Sequence, residues 1–268
     1  MIHFLQQTDS TNNRLLEYIA DRQKRGEQID NLTTFYTDFQ TAGRGQQGNT
    51  WESEAGKNLL FSTLIITNIA AEKQFRITEL VSLAIAQVIK QLLSETAPEH
   101  ANAVKIKWPN DIYIYDKKVC GILIENQLLG SSVNASIVGV GLNVNQLVFQ
   151  SSAPNPASLR FFAKQQLEIF PILNNILNGF GRLLPLLEQP LALHQKYMAM
   201  LYRRNEMFQY IERECSTKPT NIVCQNQTQE KQTFLARIVN VDNFGRLILQ
   251  DQTGTLRTYH FKQIQFVI

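Results

Sequence analysis

The sequence predicts an α+β protein, a mixed-sheet domain with helices followed by a small β-only module. Three observations carry that expectation. Continuous apolar runs such as Leu59 to Ile66 have the length and β-branching of buried strands. Long segments with apolar residues at helical spacing, Thr78 to Glu95 and Pro171 to Glu188, lie between them. After Lys218-Pro219 the pattern changes to strict alternation, as in Phe234-Leu-Ala-Arg-Ile-Val-Asn-Val, with turn signals at Asp242-Asn243 and Asp251 to Gly254. We therefore expect a catalytic or binding domain over 1–218 and a β domain over 219–268.

Taken in order, Asp9-Ser10-Thr11 offers N-cap chemistry to a helix carrying Leu15, Leu16 and Ile19. A strand over Thr33 to Thr37 follows, then a loop dense in Gly, Gln and Asn from Gln40 to Lys57. Val104 to Trp108, Ile112 to Tyr115, Val119 to Glu125 and Ser136 to Asn145 read as a meander of strands. Polar turns at Pro109-Asn110-Asp111 and Asp116-Lys117-Lys118 separate the first three. Ala153-Pro-Asn-Pro-Ala-Ser-Leu is irregular.

Composition narrows the function classes. At 268 residues, 44% hydrophobic and 18% charged, the chain is globular rather than fibrous or disordered. A net charge of +3 suits anionic small molecules and is too weak for a nucleic-acid binder. Three cysteines without a CxxC pair and four histidines without an HExxH spacing argue against a disulfide framework and a zinc site. The N-terminus lacks signal-peptide features, and no uninterrupted apolar run is long enough to span a bilayer, so a cytoplasmic protein is expected.

Gly43-Arg44-Gly45-Gln46-Gln47-Gly48 spells G-x-G-x-x-G but runs on toward a strand rather than opening a helix, so the dinucleotide reading fails on context. What remains is a loop whose backbone N–H groups can approach an anion, with a guanidinium inside it. Trp51, closing that loop, needs something flat or apolar to cover. In Lys107-Trp-Pro-Asn-Asp111, Asn110 can read an adenine edge or satisfy local backbone, and Asp111 can meet a metal ion on phosphates or cap the turn. The next hairpin should return Lys118 near Lys107, and two converging lysines need an anion between them, for which a phosphate is suitable. The strands around Gly121, Gly139 and Gly141 carry interior glycines, which weaken a strand unless something must come close. Asn143 and Asn145 alternate on one face, and Cys120 reads as a small core residue.

Taken together, these segments resemble the biotin protein ligases. Four blocks match in order: Asp9-Ser-Thr-Asn12; Gln40-Thr-Ala-Gly-Arg-Gly45 through Trp51; Lys107-Trp-Pro-Asn-Asp111 with Lys118 and Gly121-Ile-Leu-Ile-Glu125; and Gly139-Val-Gly-Leu-Asn143. The resemblance implies a fold similar to class II aminoacyl-tRNA synthetases with an SH3-like C-terminal barrel. It implies two reactions: biotin and Mg·ATP give biotinyl-5′-AMP and pyrophosphate, then a lysine of a biotin carboxyl carrier protein of acetyl-CoA-carboxylase type takes the biotinyl group. By position, Ser10, Thr11 and Gln40 would bind the ureido head, while Arg44 with the Gly43 and Gly45 backbone would line biotin and the phosphate. Gly121 belongs to the same biotin set. Trp51 would stack on adenine, and Asn110 and Asn143 would meet its edge. Asp111 would support the nucleotide and Mg2+, Lys118 would contact the biotin carboxylate and α-phosphate, and Lys107 would lie near the phosphates. Lys118, Arg44 and Asp111 form the catalytic set.

Two departures stand out. Where the family's glycine loop often carries further basic residues, this chain has Gln46, Gln47 and Asn49, which predicts looser retention of the adenylate. The chain starts at the Asp-Ser-Thr-Asn block, without the DNA-binding domain of bifunctional relatives, so no DNA partner is expected. A homodimer through a sheet edge is compatible with the pattern, with no residue that points to it. The rival readings are a lipoate ligase or octanoyl transferase of related fold, for which Cys120 would be the nucleophile, and a non-catalytic carrier-binding adaptor.

Overall fold

The computed structural model describes residues 1–150, 155–213, 215–218, 221–224 and 233–268. The first part of the irregular stretch, Ala153-Pro154, and the start of the expected β module, Pro219-Thr220, lie outside them. The chain divides into two compact units, Met1–Met200 and Leu201–Ile268.

The first unit is built on a seven-stranded mixed sheet. Its strands are β1 (Ile2–Thr8), β2 (Thr34–Gln40), β3 (Leu59–Ala70), β4 (Val104–Lys107), β5 (Asp111–Ile114), β6 (Lys117–Leu129) and β7 (Ser132–Leu142). They lie in the order β1-β2-β3-β7-β6-β5-β4. Among the strands of this sheet β1 and β2 pair in parallel, and the remaining strand pairs are antiparallel. β1 was not expected: Ile-His-Phe-Leu-Gln-Gln has no clean alternation, and it forms because Ile2 to Thr8 can pair along the whole of β2.

Helix α1 (Thr11–Lys24) lies against β2, β3 and β7, and its Leu15 and Ile19 join Phe35, Leu64, Ala135 and Ile137 in a buried cluster. Alternation along the strands sends Phe61, Val138 and Val140 to the opposite face, where all three are buried. That face carries α2 (Phe75–Thr96), which packs on β4 and β5, and α5 (Ile169–Leu183), which packs on β3 and α2. Short helices α3 (Pro98–Ala101) and α4 (Leu159–Ala163), and α6 (Pro190–Ala199) against α2, complete the unit.

One expectation is corrected here. The helical stretch Ala71–Thr96 is long and apolar enough, at mean hydropathy 1.3, to cross a membrane. It is not an uninterrupted apolar run, because Thr, Gln and Lys break it without lowering its average much. Two thirds of the apolar window is buried (67%), as the all-round apolar pattern of a core helix requires.

The second unit contains a five-stranded antiparallel sheet in the order β13-β12-β11-β8-β14. Its strands are β8 (Phe208–Glu212), β11 (Thr233–Val241), β12 (Leu247–Asp251), β13 (Leu256–Tyr259) and β14 (Ile264–Phe266), while β9 (Cys215–Lys218) pairs with β10 (Asn221–Cys224) separately. Two carboxylates make its turns: Asp242 Oδ1 accepts from the Phe244 and Arg246 backbones, and Asp251 Oδ1 from those of Thr253 and Thr255. The unit starts earlier than the composition shift at 218/219, because β8 pairs with both β11 and β14 and so belongs to the smaller sheet.

Candidate functional site

The site lies on the α1 face of the central sheet, over the part of β3, β7 and β6 that the helix does not cover. Across those strands Ser62 pairs with Gly139 and Gly139 with Leu123, while Leu60 pairs with Gly141 and Gly141 with Gly121. The interior glycines leave a floor on which other side chains rest. A Cβ at Gly139 would stand 2.4 Å from Asn12 Oδ1. One at Gly121 or Gly141 would meet the Trp51 indole at 2.6 and 2.4 Å. Each interior glycine costs roughly 0.5–1 kcal/mol relative to alanine. The sheet tolerates three of them, one on β6 and two on β7, because an amide and an indole lie on them.

At one end of the floor, α1 begins. Ser10 occupies the N-cap position with extended backbone, yet its side chain makes no capping bond and is buried. The N-cap expectation therefore holds for the backbone and fails for the hydroxyl, which the helix leaves unspent. Thr11 donates to Gln40 Oε1 twice, from its backbone N–H at 2.8 Å and its hydroxyl at 3.1 Å. The Ser62 hydroxyl, fully buried, lies 2.6 Å from Thr11 Oγ1 and 2.5 Å from Asn12 Oδ1. Asn12 Nδ2 then donates to Glu125 Oε2 at 2.5 Å. Arg44 Nη2 lies 3.4 Å from the same oxygen and donates to Asn13 Oδ1 at 3.0 Å. Asn13 Nδ2 donates to Asp9 Oδ2 at 2.6 Å. That hydrogen bond, with those from the Ser10 backbone and the Thr8 hydroxyl, holds the Asp9 carboxyl down to about 2. An unbroken polar chain thus runs from Gln40 to Asp9 and joins three sequence blocks.

The glycine loop closes over the other end. Arg44 bridges to Thr50, the Gly45 N–H donates to the Asn49 carbonyl and the Trp51 N–H to the Gly43 carbonyl. Gly43 is required by that closure, since a Cβ there would come within 2.9 Å of the Trp51 carbonyl oxygen. The seated indole leaves its buried Nε1 without a hydrogen-bond partner among the described residues.

Lys118 reaches this face through a β-bulge. Ile112 pairs with Cys120 but Tyr113 pairs with Lys118, so Val119 is an extra residue and the alternation of β6 inverts there. Simple alternation would put Lys118 on the side of Cys120. Instead its ammonium lies 5.7 Å from the Trp51 ring centroid and 2.7 Å from Asp111 Oδ2. The anion expected beside the lysines is therefore supplied by the protein itself. Lys107 faces Asp111 in register across β4 and β5, with its ammonium 5.4 Å from the Tyr113 ring centroid.

The two asparagines that alternate in sequence lie past the end of β7 and differ in use. Asn145 exchanges both side-chain bonds with the Leu167 backbone and is satisfied. Asn143 donates to the Ala157 carbonyl at 3.1 Å, while its buried Oδ1 has no partner among the described residues. Asn110 is more committed than expected, donating to the Ile122 carbonyl at 3.0 Å and accepting from Gln46 Nε2 at 3.4 Å. An unpartnered buried polar atom costs about 1–3 kcal/mol, so Trp51 Nε1 and Asn143 Oδ1 mark positions where a ligand atom would be stabilising.

Sequence reasoning missed Ser62 and gave Glu125 no role. A lone hydroxyl inside the apolar run Leu59 to Ile66 was the available signal for the first. No described residues form a cluster of three or more His, Cys, Asp or Glu able to hold a metal. One carboxylate, Asp111, already paired with Lys118, does not make a resident metal centre; it fits magnesium carried in on a nucleotide's phosphates.

A mixed sheet with this half-covered, glycine-floored face defines the class. Residues 4–143 match the model of the Biotin/lipoate A/B protein ligase family, and the chain belongs to that family. It is 37% identical over 114 residues to the bifunctional ligase/repressor BirA of Bacillus subtilis, covering 42% of this chain and 33% of that protein. Against BirA of Escherichia coli it is 31% identical over 149 residues, 55% of this chain and 41% of that one. It is 38% identical over 109 residues to biotin–protein ligase 1, chloroplastic, of Arabidopsis thaliana, 41% of this chain and 29% of that protein. The matched part spans about two fifths or less of these relatives' length. Among solved structures, the Aquifex aeolicus biotin protein ligase in complex with biotin and ATP superposes with a TM-score of 0.71 at 20% identity, covering 99% of both chains. The Leishmania major enzyme in complex with biotinyl-5-AMP gives 0.62 at 19%, covering 97% and 98%. These likenesses establish the fold.

Proposed function

We propose that the protein is an ATP-dependent biotin–protein ligase, which makes biotinyl-5′-AMP and passes the biotinyl group to a lysine of a biotin carboxyl carrier protein. The observation that carries the reading is the glycine floor, with the hydroxyls and amide of Ser10, Thr11 and Gln40 at one end, Lys118 with the Trp51 indole at the other, and the Arg44 guanidinium beside Asn13 and Glu125. Biotin has the same order of parts: a ureido head, an apolar middle and a carboxylate.

In this reading Ser10, Thr11 and Gln40 hold the ureido group. Gln40 Oε1 is taken by Thr11, which leaves its Nε2 as the donor toward the ureido oxygen. A buried ureido group is tolerated only when its donors and acceptors find partners. The carboxylate then lies toward Lys118 and Arg44, with the Gly43 and Gly45 backbone lining it. One carboxylate oxygen bonds to the α-phosphorus as the bond to the β-phosphate bridging oxygen breaks, and pyrophosphate leaves with that electron pair. Two anions meet in this step, so fixed cations lower its barrier by neutralising charge and holding the line of attack. Trp51 offers its outer face to adenine, and Asn143 Oδ1 accepts from the adenine amino group. Lys107 and Asp111 serve the phosphates, and the Mg2+ borne by ATP neutralises phosphate charge when bound. In the second reaction a carrier lysine amine bonds to the acyl carbon and AMP departs. Closure of the loop from Gly43 to Trp51 keeps water from the mixed anhydride meanwhile.

The acyl-transferase reading needs a thiolate at Cys120. That side chain is fully buried, and burial pushes its thiol far above the usual range, with the Asp111 charge adding to the rise and Lys118 opposing it. It is a core residue. The test is ATP–pyrophosphate exchange with biotin, lipoate and octanoate in parallel. Exchange with biotin alone is expected; no exchange with any acid would overturn the ligase reading in favour of an adaptor.

A further inference from the structure

Glu125 stands on the site face of β6, two positions beyond Leu123 and four beyond Gly121, in register with Ile137. Its side chain is about one-third exposed (35%), and a single oxygen, Oε2, takes both the Asn12 amide and the Arg44 guanidinium. A surface ion pair of ordinary kind contributes little. This one differs in what it holds. Asn12 is 3% exposed, with its Oδ1 lodged between Ser62 and the Gly139 floor, so the Glu125 bond fixes which way the amide points. Asn12 directly follows Ser10 and Thr11, while Arg44 belongs to the glycine loop that ends in Trp51. Arg44 meets Asn13 and Glu125 through Nη2, one of the three nitrogens of its guanidinium. The guanidinium is held in place without being used up.

We infer that Glu125 is a positioning residue that holds the Asn12 amide and the Arg44 guanidinium in one arrangement, so that acid binding and loop closure depend on the same carboxylate. The inference rests on the ligase reading, in which Ser10 and Thr11 beside Asn12 hold the ureido head of biotin and Arg44 with its loop lines the bound acid. Without Glu125 the amide of Asn12 is held by Ser62 alone and Arg44 keeps Asn13. Replacing the carboxylate by an amide separates the two functions. Glu125→Gln retains an oxygen for Asn12 Nδ2 but loses the charge that attracts Arg44.

The experiment is biotin-dependent ATP–pyrophosphate exchange by wild type, E125A and E125Q, with rates divided by folded protein and KM taken for biotin and ATP separately. In E125A the biotin KM rises about 10–100-fold, the loss of a charge-assisted bond, while the ATP KM stays within about 3-fold. In E125Q the biotin KM returns to within about 5-fold of wild type while kcat stays about 10-fold low. Should E125A fail to fold, E125Q decides alone: wild-type kcat in that variant overturns the inference. Unchanged biotin KM in folded E125A, or equal rises in both KM values, also overturns it and leaves the ligase reading standing. An inert wild type overturns both together.

Discussion

On one side of β3 and β7, Phe61, Val138 and Val140 are buried among apolar neighbours; on the other, at adjacent positions, stand Ser62, Gly139 and Gly141. The same strands make both faces. Where α1 covers the second face, its residues are Leu64, Ala135 and Ile137, and it is as apolar as the first. Where α1 stops, side-chain volume disappears and hydroxyls and amides replace methyl groups. The comparison teaches that the site is a gap in the core, floored by glycine and furnished by residues from the start of α1 and the loop. Two polar atoms at this gap, Trp51 Nε1 and Asn143 Oδ1, are buried without a partner among the described residues, a state that costs free energy unless a ligand relieves it.

Substitutions on the two faces should therefore fail differently. The largest effect is expected from filling the gap: G141V puts methyl groups where the indole ring lies, and adenylation should fall at least about 100-fold, the scale set by misplacing a reacting partner by an ångström. Circular dichroism should show the fold retained; unfolding instead would mean the glycine serves the sheet rather than the site. Next, K118Q removes one of the two cations, and kcat should fall about 10²–10³-fold with a smaller change in ATP KM, measured by initial exchange rates. On the packed face, F61A should cost about 3–5 kcal/mol in denaturant unfolding, with biotin KM of the folded protein unchanged. A shifted KM there would show that the faces are not independent. Q46R adds a cation to the loop and should slow release of biotinyl-5′-AMP roughly 5–30-fold in a rapid-dilution assay, the scale of one charge-assisted bond, while also losing the Asn110 contact.

The smallest effect concerns pH. Asp9 is depressed to about 2 in the folded chain, so its stabilising contribution is complete above the ordinary carboxylate range and is lost as pH falls through about 2. A carboxyl NMR titration should leave Asp9 ionised at pH 3; titration near 4 would show that the Asn13 bond does not hold in solution.

The glycine loop, the Lys-Trp-Pro-Asn-Asp turn and the glycine-bearing strands were legible in sequence because each uses residue types that packing alone disfavours. Alternation gave the meander, and the wholly apolar repeat gave α2. What stayed hidden depended on contacts distant in sequence. Lys118 reaches the site through a bulge that inverts the count of β6, so period-two reasoning alone puts it on the wrong face. Asp111 as its counter-ion follows from that bulge. Ser62 and Glu125 gain meaning only when β3, β6 and α1 come together, 50 and 113 residues from Asn12 along the chain. β1 depends on its partner strand rather than on its own pattern.

The most direct measurement is mass spectrometry of the nucleotide retained by protein incubated with biotin and Mg·ATP in the absence of a carrier. Biotinyl-5′-AMP bound to wild type, absent from folded G141V and absent when lipoate replaces biotin, is the predicted result. Unmodified ATP and biotin in the wild-type sample, or equal adenylation of lipoate, would contradict it.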